Sequence, residues 1–140
     1  SGLPARYHVS APRGAGEYGS VLGGKLQNDT TLQWQKLIRS LWLAGELARL
    51  DGISRPVFLE IGAGYGGLAH HMIRMYPRAL YVIVDLPETL FFSGTYLSLI
   101  HGSDRILLAR RMSDLRPDRL KKKSFVLVPN FGLQVVRFAQ

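Results

Sequence analysis

The stretch that decides the fold is FLEIGAGYGG, residues 58–67, which lies between an apolar run and an amphipathic segment. Gly62 allows a sharp turn at the end of a strand, and Gly64 allows backbone to approach a ligand with no Cβ in the way. Gly66 and Gly67 allow close packing where a helix begins. The position of these glycines predicts a ligand-binding loop at a strand-to-helix junction.

The segments on both sides of this loop alternate between the two kinds of secondary structure. Apolar runs bounded by Gly, Pro or charged residues predict strands, and apolar residues at helical spacing predict helices. We predict strands at 57–61, 79–85, 105–109 and 124–131, and helices at 68–76 and 87–101. This alternation predicts an α/β fold, a Rossmann-like parallel sheet with helices on both faces.

The first part of the chain has a different character. Residues 1–27 contain many glycines and no sustained period, which predicts an irregular leader, followed by a Rossmann-like cofactor-binding domain over 28–140. From residue 28, apolar residues at helical spacing predict one amphipathic helix, with Asp29 or Thr30 as its N-cap and Gly52 as its C-terminal stop. Trp34 and Trp42 are interpreted as packing residues of that helix.

Composition excludes several classes of protein. The 140 residues include no cysteine, which rules out disulfides, thiolate zinc sites and a cysteine nucleophile. No apolar run reaches the roughly 18 residues needed to cross a bilayer, and residues 1–14 lack the apolar stretch of a secretory signal, so we predict a cytoplasmic protein with no membrane partner. The net charge of +8 is compatible with a nucleic acid, an anionic small substrate or a solvated surface. Lys121–Lys123 is interpreted as an exposed turn.

Glycine spacing alone leaves two classes of cofactor open. Gly62, Gly64 and Gly67 also fit the GxGxxG pattern of dinucleotide-binding loops. Glu60 favours the other class, because a carboxylate beside the loop would repel a pyrophosphate at the helix N-terminus. S-adenosylmethionine has no phosphate and carries an ammonium and a sulfonium, so the same carboxylate attracts it. A structural alternative is that Glu60 caps nearby backbone N–H groups.

A second acidic residue follows the next predicted strand. Asp85 ends the run ALYVIVD, 19 residues after Gly66. Both classes of cofactor use an acid at this place, because its two oxygens can accept hydrogen bonds from both hydroxyls of a ribose across the crevice from the glycine loop. The structural alternative is an N-cap for the helix that begins near Pro87.

The loop FLEIGAGYGG followed by YVIVDLPETL resembles the class I S-adenosylmethionine-dependent methyltransferases, and more narrowly the sugar O-methyltransferase family. SFVLVPNF, which includes Asn130, is also similar to a strand of that group. The resemblance covers residues 28–131 and is closest over 57–90. It implies that the methionine part of the cofactor contacts the loop, that the ribose contacts Asp85 and that the adenine contacts Leu86. The loop residues implied are Glu60, Gly62, Ala63, Gly64, Tyr65 and Gly66.

The resemblance implies a methyltransferase that transfers the sulfonium methyl group to a hydroxyl of a sugar or glycoside. The alternatives are an RNA methyltransferase, a non-catalytic cofactor-binding module and a dinucleotide oxidoreductase. No general base can be assigned from the sequence. His8 and Tyr18 are weaker candidates for substrate contact, and His70 and His71 are interpreted as helix-face residues because they have no partner at metal-ligand spacing.

The class I sheet places its first strand centrally and continues for more strands than this chain contains. We therefore expect residues 1–140 to be an incomplete, N-terminal portion of that fold. Either the strand at 57–61 or its neighbour should then have unpaired backbone groups and an uncovered apolar face. The same reasoning predicts weak cofactor binding and no methyl transfer by these residues alone.

Overall fold

The computed structural model describes residues 2–12 and 18–131, and only the backbone of Met112. Residues 13–17 of the predicted leader and 132–140 of the predicted domain lie outside the described residues. The chain divides into two compact units, Ser1–Ser54 and Arg55–Gln140. The boundary therefore follows residue 54, whereas the sequence predicted a boundary after residue 27.

The first unit contains a β-hairpin that the sequence did not predict. A short 3-10 helix at Ala5–Tyr7 precedes strands β1 (Ser20–Leu22) and β2 (Lys25–Gln27), which pair antiparallel. The two residues between the strands, Gly23 and Gly24, both have positive φ, as a tight hairpin turn requires. The prediction of an irregular segment was wrong for 20–27, because strands of three residues are too short to show an alternating apolar pattern.

The helical region begins at a capping box. Helix α1 (Asp29–Leu43) has Asn28 as its N-cap, so the prediction of Asp29 or Thr30 was wrong by one or two residues. Oδ1 of Asn28 accepts a hydrogen bond from the Thr31 amide at 2.9 Å, and Oγ1 of Thr31 accepts one from the Asn28 amide at 2.8 Å. This reciprocal pair satisfies N–H groups that the first turn of the helix leaves unpaired.

The predicted single helix is two helices. Gly45 has a φ of +79° and separates α1 from α2 (Glu46–Asp51), while Gly52 ends α2 as predicted. Ile38 and Leu47 are fully buried in this unit. The hydroxyl of Tyr7 donates to Oδ2 of Asp51 at 2.9 Å, which ties the N-terminal segment to the end of α2.

The second unit is an α/β fold with a four-stranded parallel sheet, as the sequence predicted. All four strands lie within the predicted ranges, and their order across the sheet is β3, β4, β6, β5. The strands are β3 (Val57–Ile61), β4 (Leu80–Asp85), β5 (Ile106–Leu108) and β6 (Phe125–Pro129). Five consecutive buried residues in β6 are typical of a parallel strand that is covered on both faces.

Helices pack against both faces of this sheet. Helices α3 (Gly67–Met75) and α4 (Pro87–His101) lie on one face, where the His101 ring is 4.9 Å from the ring of Phe125. On the other face, Leu115 and Leu120 pack against the buried side chains of β4 and β6. Leu120 belongs to the short helix α5 (Pro117–Leu120). The fold is compatible with a Rossmann-like architecture.

Strand β3 forms one edge of the sheet. Among the described residues it pairs only with β4. Val57, Leu59 and Ile61 share one face of the strand, and they are 64%, 49% and 71% exposed. Of the two strands for which the sequence predicted an unpaired edge and an uncovered apolar face, the strand at 57–61 shows both among the described residues.

Gly66 fixes how closely the loop approaches α4. A Cβ on Gly66 would lie 3.1 Å from Cδ1 of Leu97, and Gly66 has a φ of +88°. Leu97 is fully buried, so it has little freedom to move away. Close packing at the start of the helix, predicted from the sequence, is therefore confirmed for Gly66.

We expect Gly66→Ala to lower the free energy of unfolding by about 1 to 2 kcal/mol, because alanine would adopt the left-handed conformation and crowd Leu97. Gly52→Ala is the matched control, since Gly52 has a φ of −78° and its added Cβ meets nothing closer than 3.5 Å. Urea denaturation followed by circular dichroism measures both. Equal stability of the two variants would contradict the packing role.

Candidate functional site

The glycine loop follows β3 and lies beside the end of β4. The amide of Gly62 donates to the carbonyl oxygen of Val84 at 2.9 Å, which extends the parallel pairing by one residue. Gly62 and Gly64 have φ values of +77° and +58°, and a Cβ at either position would have no heavy atom within 4 Å. Backbone therefore borders open space at both positions, as a ligand-binding loop requires.

The structure brings Asp85 to this loop. Oδ2 of Asp85 accepts a hydrogen bond from the amide of Gly64 at 3.1 Å, and Oδ1 accepts one from the amide of Leu86 at 2.8 Å. The N-cap residue of α4 is Leu86, so the alternative that Asp85 caps this helix is wrong. The carboxylate instead joins the ends of two neighbouring strands.

Glu60 lies half-buried on β3, near Asp85. Its Oε2 accepts a hydrogen bond from the hydroxyl of Tyr81 at 3.0 Å, so its described partner is a side chain and not the backbone N–H groups considered above. Burial raises the pKa of Glu60, the bond from Tyr81 opposes that rise, and the negative charge of Asp85 adds to it. The two carboxylates thus form a locally negative site beside the glycine loop.

The remaining predicted contacts are accessible to different degrees. Tyr65 is 42% exposed and its ring meets that of Tyr96 edge-on at 4.9 Å. Ala63 is half-buried, and Leu86 is 53% exposed at the start of α4. Ala63 and Tyr65 lie in the glycine loop, and Leu86 directly follows β4.

A buried histidine cluster lies between α3 and α4. His70 and His71 are both 2% exposed, and Nδ1 of His70 lies 2.9 Å from Nε2 of His101. Burial, with the neighbouring charges of His101 and Arg74, lowers the pKa of His70 to about 4. Burial, with His70 and Arg74, lowers that of His71 to about 3. These histidines are therefore neutral packing residues at pH 7.

The arrangement favours recognition of a cation. Glu60 beside the exposed glycine loop favours a ligand that carries an ammonium or sulfonium over one that carries a phosphate there, whereas an acid at the place of Asp85 suits the ribose of either class of cofactor. Within residues 2–12 and 18–131, no three histidine or acidic side chains cluster as ligands for a metal ion.

The other residues that the sequence analysis singled out are distant from the glycine loop along the chain. Tyr18 is 64% exposed and His8 is also exposed, both in the first unit. Trp34 and Trp42 are half-buried. Lys121 and Lys122 are exposed in a turn before β6, which confirms the predicted exposed turn for these two residues, while Lys123 is half-buried and donates to the carbonyl oxygen of Asp104 at 2.6 Å.

Three neighbours of the site were not predicted. Tyr81 donates to Glu60, Tyr96 packs on Tyr65, and His101 contacts His70. Tyr81 could have been found from strand alignment, because it pairs in register with Phe58, two residues before Glu60. Tyr96 and His101 carry no sequence signal, since their contacts depend on how α4 packs against the loop and α3.

In the part of the chain that the structure describes, no helix combines the length and the apolar character needed to span a membrane. Comparisons with protein-family models, curated proteins and solved structures found no match to this chain.

Proposed function

We propose that this chain binds S-adenosylmethionine and is the cofactor-binding part of a methyltransferase that acts on a hydroxyl of a sugar or glycoside. The observation that carries the proposal is the meeting of Asp85 with the glycine loop through the Gly64 amide. A class I methyltransferase uses the ends of the same two strands for its cofactor, which supplies the methyl group when bound. The open loop has room for such a ligand, because Gly62 and Gly64 border free space.

Electrostatics supports this cofactor over a dinucleotide. Glu60 and Asp85 are close enough for the charge of Asp85 to raise the pKa of Glu60. A pyrophosphate at the start of α3 would add two further negative charges beside them, whereas a sulfonium and an ammonium would be attracted. Glu60, held by Tyr81, would face the methionine end of the cofactor.

Asp85 keeps enough hydrogen-bonding capacity for a ribose. A carboxylate accepts roughly four hydrogen bonds, and the described amides of Gly64 and Leu86 use one on each oxygen. One acceptor site therefore remains on each oxygen for the two ribose hydroxyls. The amide bonds also hold the carboxylate in one orientation before the ligand arrives, which reduces the entropy lost on binding.

The acceptor in this proposal comes from the resemblance of the segments around Asp85 and Asn130 to sugar O-methyltransferases. Methyl transfer needs the acceptor oxygen in line with the methyl group and close to it, and a hydroxyl acceptor also needs a general base. The chain's role in that reaction is to bind and orient the cofactor. Its direct test is therefore binding, which does not depend on identifying the acceptor.

We expect Asp85→Asn to weaken binding of S-adenosylhomocysteine about 10- to 150-fold, because losing charge-assisted hydrogen bonds costs about 1.5 to 3 kcal/mol. Asparagine keeps the size of the side chain and one acceptor oxygen, so the fold should be retained. Isothermal titration calorimetry measures the dissociation constant, and thermal unfolding checks the fold.

Asp118→Asn is the matched control for this experiment. Asp118 is an exposed carboxylate of the same unit that pairs with Arg116 at 3.2 Å, so its loss changes the net charge equally. Binding should be unchanged in this variant. Equal affinity of Asp85→Asn and the parent would remove the ribose role of Asp85, and equal weakening in both variants would assign the effect to net charge.

A further inference from the structure

A second concave surface of the α/β unit lies along α4, and no residue of the glycine loop lines it. It has a volume of about 900 Å³, within the usual range for sites that bind drug-sized molecules. α4 forms one wall, and the residues at and beyond the ends of β5 and β6 form the other. Its principal side chains are Phe91, Leu99, Leu108, Leu127, Phe131 and Arg110. We call this surface the α4 cleft.

Large apolar side chains of the α4 cleft face water. Phe91 is 71% exposed, Leu99 78% and Phe131 68%. Gly94 deepens the cleft, since a Cβ there would lie only 3.0 Å from Cδ1 of Leu127. An exposed apolar surface of this kind is stabilised when a ligand with an apolar body covers it.

Arg110 is the one charged residue among the described residues that line the cleft. Asp114 follows it closely in the chain but is engaged elsewhere. Its Oδ2 accepts the backbone amides of Arg110 and Arg111, and its Oδ1 pairs with the side chain of Arg119. Within the described part of the chain, the Arg110 guanidinium therefore has no acidic partner, and the cleft combines apolar walls with an uncompensated positive charge.

We propose that the α4 cleft binds an anionic amphiphile, a small molecule with an extended apolar body and a carboxylate head group. The apolar body covers Phe91 and Leu99, and the carboxylate pairs with Arg110 through the planar fork that suits carboxylate oxygens. The glycine loop does not compete for this ligand, because Glu60 and Asp85 would repel its head group. Asp85 and Leu86, which are proposed above to contact the cofactor, do not line the cleft, although Pro87 does.

The test compares two ligands of equal length in calorimetric titrations of the 140-residue chain, decanoate and its neutral counterpart decanamide. We expect one molecule of decanoate to bind per chain, about 10-fold more tightly than decanamide, because only the carboxylate forms a charge-assisted pair. Arg110→Gln should abolish the difference between the two ligands. Arg78→Gln, which removes an exposed arginine outside the cleft, should preserve it.

A third variant tests the location. Thr95 lines the cleft from the exposed surface of α4, so Thr95→Trp should fill the cleft and weaken both ligands about 10-fold without loss of fold, which circular dichroism checks. The proposal is overturned if decanoate does not bind with saturation or if the two ligands bind the parent equally. It is also overturned if Arg110→Gln retains the discrimination, or if Thr95→Trp keeps the fold and the affinity of the parent.

Discussion

Replacing Gly64 by valine is expected to weaken S-adenosylhomocysteine binding by more than about 100-fold, to below detection by calorimetry. Gly64 has a φ of +58° and its missing Cβ opens onto free space beside the Asp85 carboxylate. A valine side chain would project into that space and exclude a ligand from the backbone. A β-branched residue also resists the left-handed conformation, so the loop would change shape as well.

The first unit offers a closely matched control for this variant. Gly23, in the turn between β1 and β2, has a φ of +56°, and a Cβ there would also have nothing within 4 Å. Gly23→Val therefore imposes the same backbone strain at a distance in the chain from the loop, and it should leave binding unchanged. Parent-like affinity in a folded Gly64→Val protein would show that the loop does not contact the ligand.

Acidification is expected to destabilise the α/β unit before most carboxylates are protonated. The pKa of His70 falls from the ordinary 6.5 to about 4 on folding, and that of His71 to about 3, mainly because both are buried. Between pH 6.5 and about 4, the unfolded chain therefore binds more protons than the folded chain. The free energy of unfolding is therefore highest above pH 6.5 and falls as the pH falls towards 4. His70 alone accounts for a loss on the order of 2 to 3 kcal/mol.

Urea denaturation at a series of pH values between 7 and 4 measures this loss. His70→Gln should make the profile less steep, because its amide can still hydrogen-bond to His101 but does not titrate, while His71 still contributes. His8→Gln is the control, since His8 is exposed and belongs to the other unit, and its profile should match the parent. An unfolding free energy that stays constant from pH 6.5 to 4 would contradict the buried, neutral state of the cluster.

The sequence predicted the parts of the fold that depend on local patterns. Every strand of the parallel sheet and both long helices of the second unit were predicted, because their apolar runs are bounded by Gly, Pro or charged residues. The glycine loop and Asp85 were predicted for the same reason, since the ends of parallel strands meet at one edge of a sheet. Their contact through the Gly64 amide follows from that topology.

The errors arose where local patterns compete or are absent. Gly45 interrupts a segment whose apolar spacing continues from Leu41 to Leu47, so periodicity alone predicted one helix. The hairpin strands are only three residues long, and one of them is fully exposed, so they show no detectable apolar face. Strand order has no local signature either, and β6 lies between β4 and β5 although it follows both in the chain.

Contacts between helices could not be predicted from the sequence either. His70 was interpreted as a helix-face residue, but its partner His101 lies 31 positions later on α4. Asp114, the acidic residue that follows Arg110 most closely in the chain, pairs with the side chain of Arg119, which no spacing rule predicts. Such contacts are determined by tertiary packing, which only the structure provides.

The central claim, that the loop and Asp85 bind S-adenosylmethionine, is tested most directly by titrating the same preparation with S-adenosylhomocysteine and with NAD in a calorimeter. We predict saturable binding of S-adenosylhomocysteine, with a dissociation constant below about 1 mM, and no binding of NAD over the same range. Binding of NAD without binding of S-adenosylhomocysteine, or binding of neither, would contradict the account.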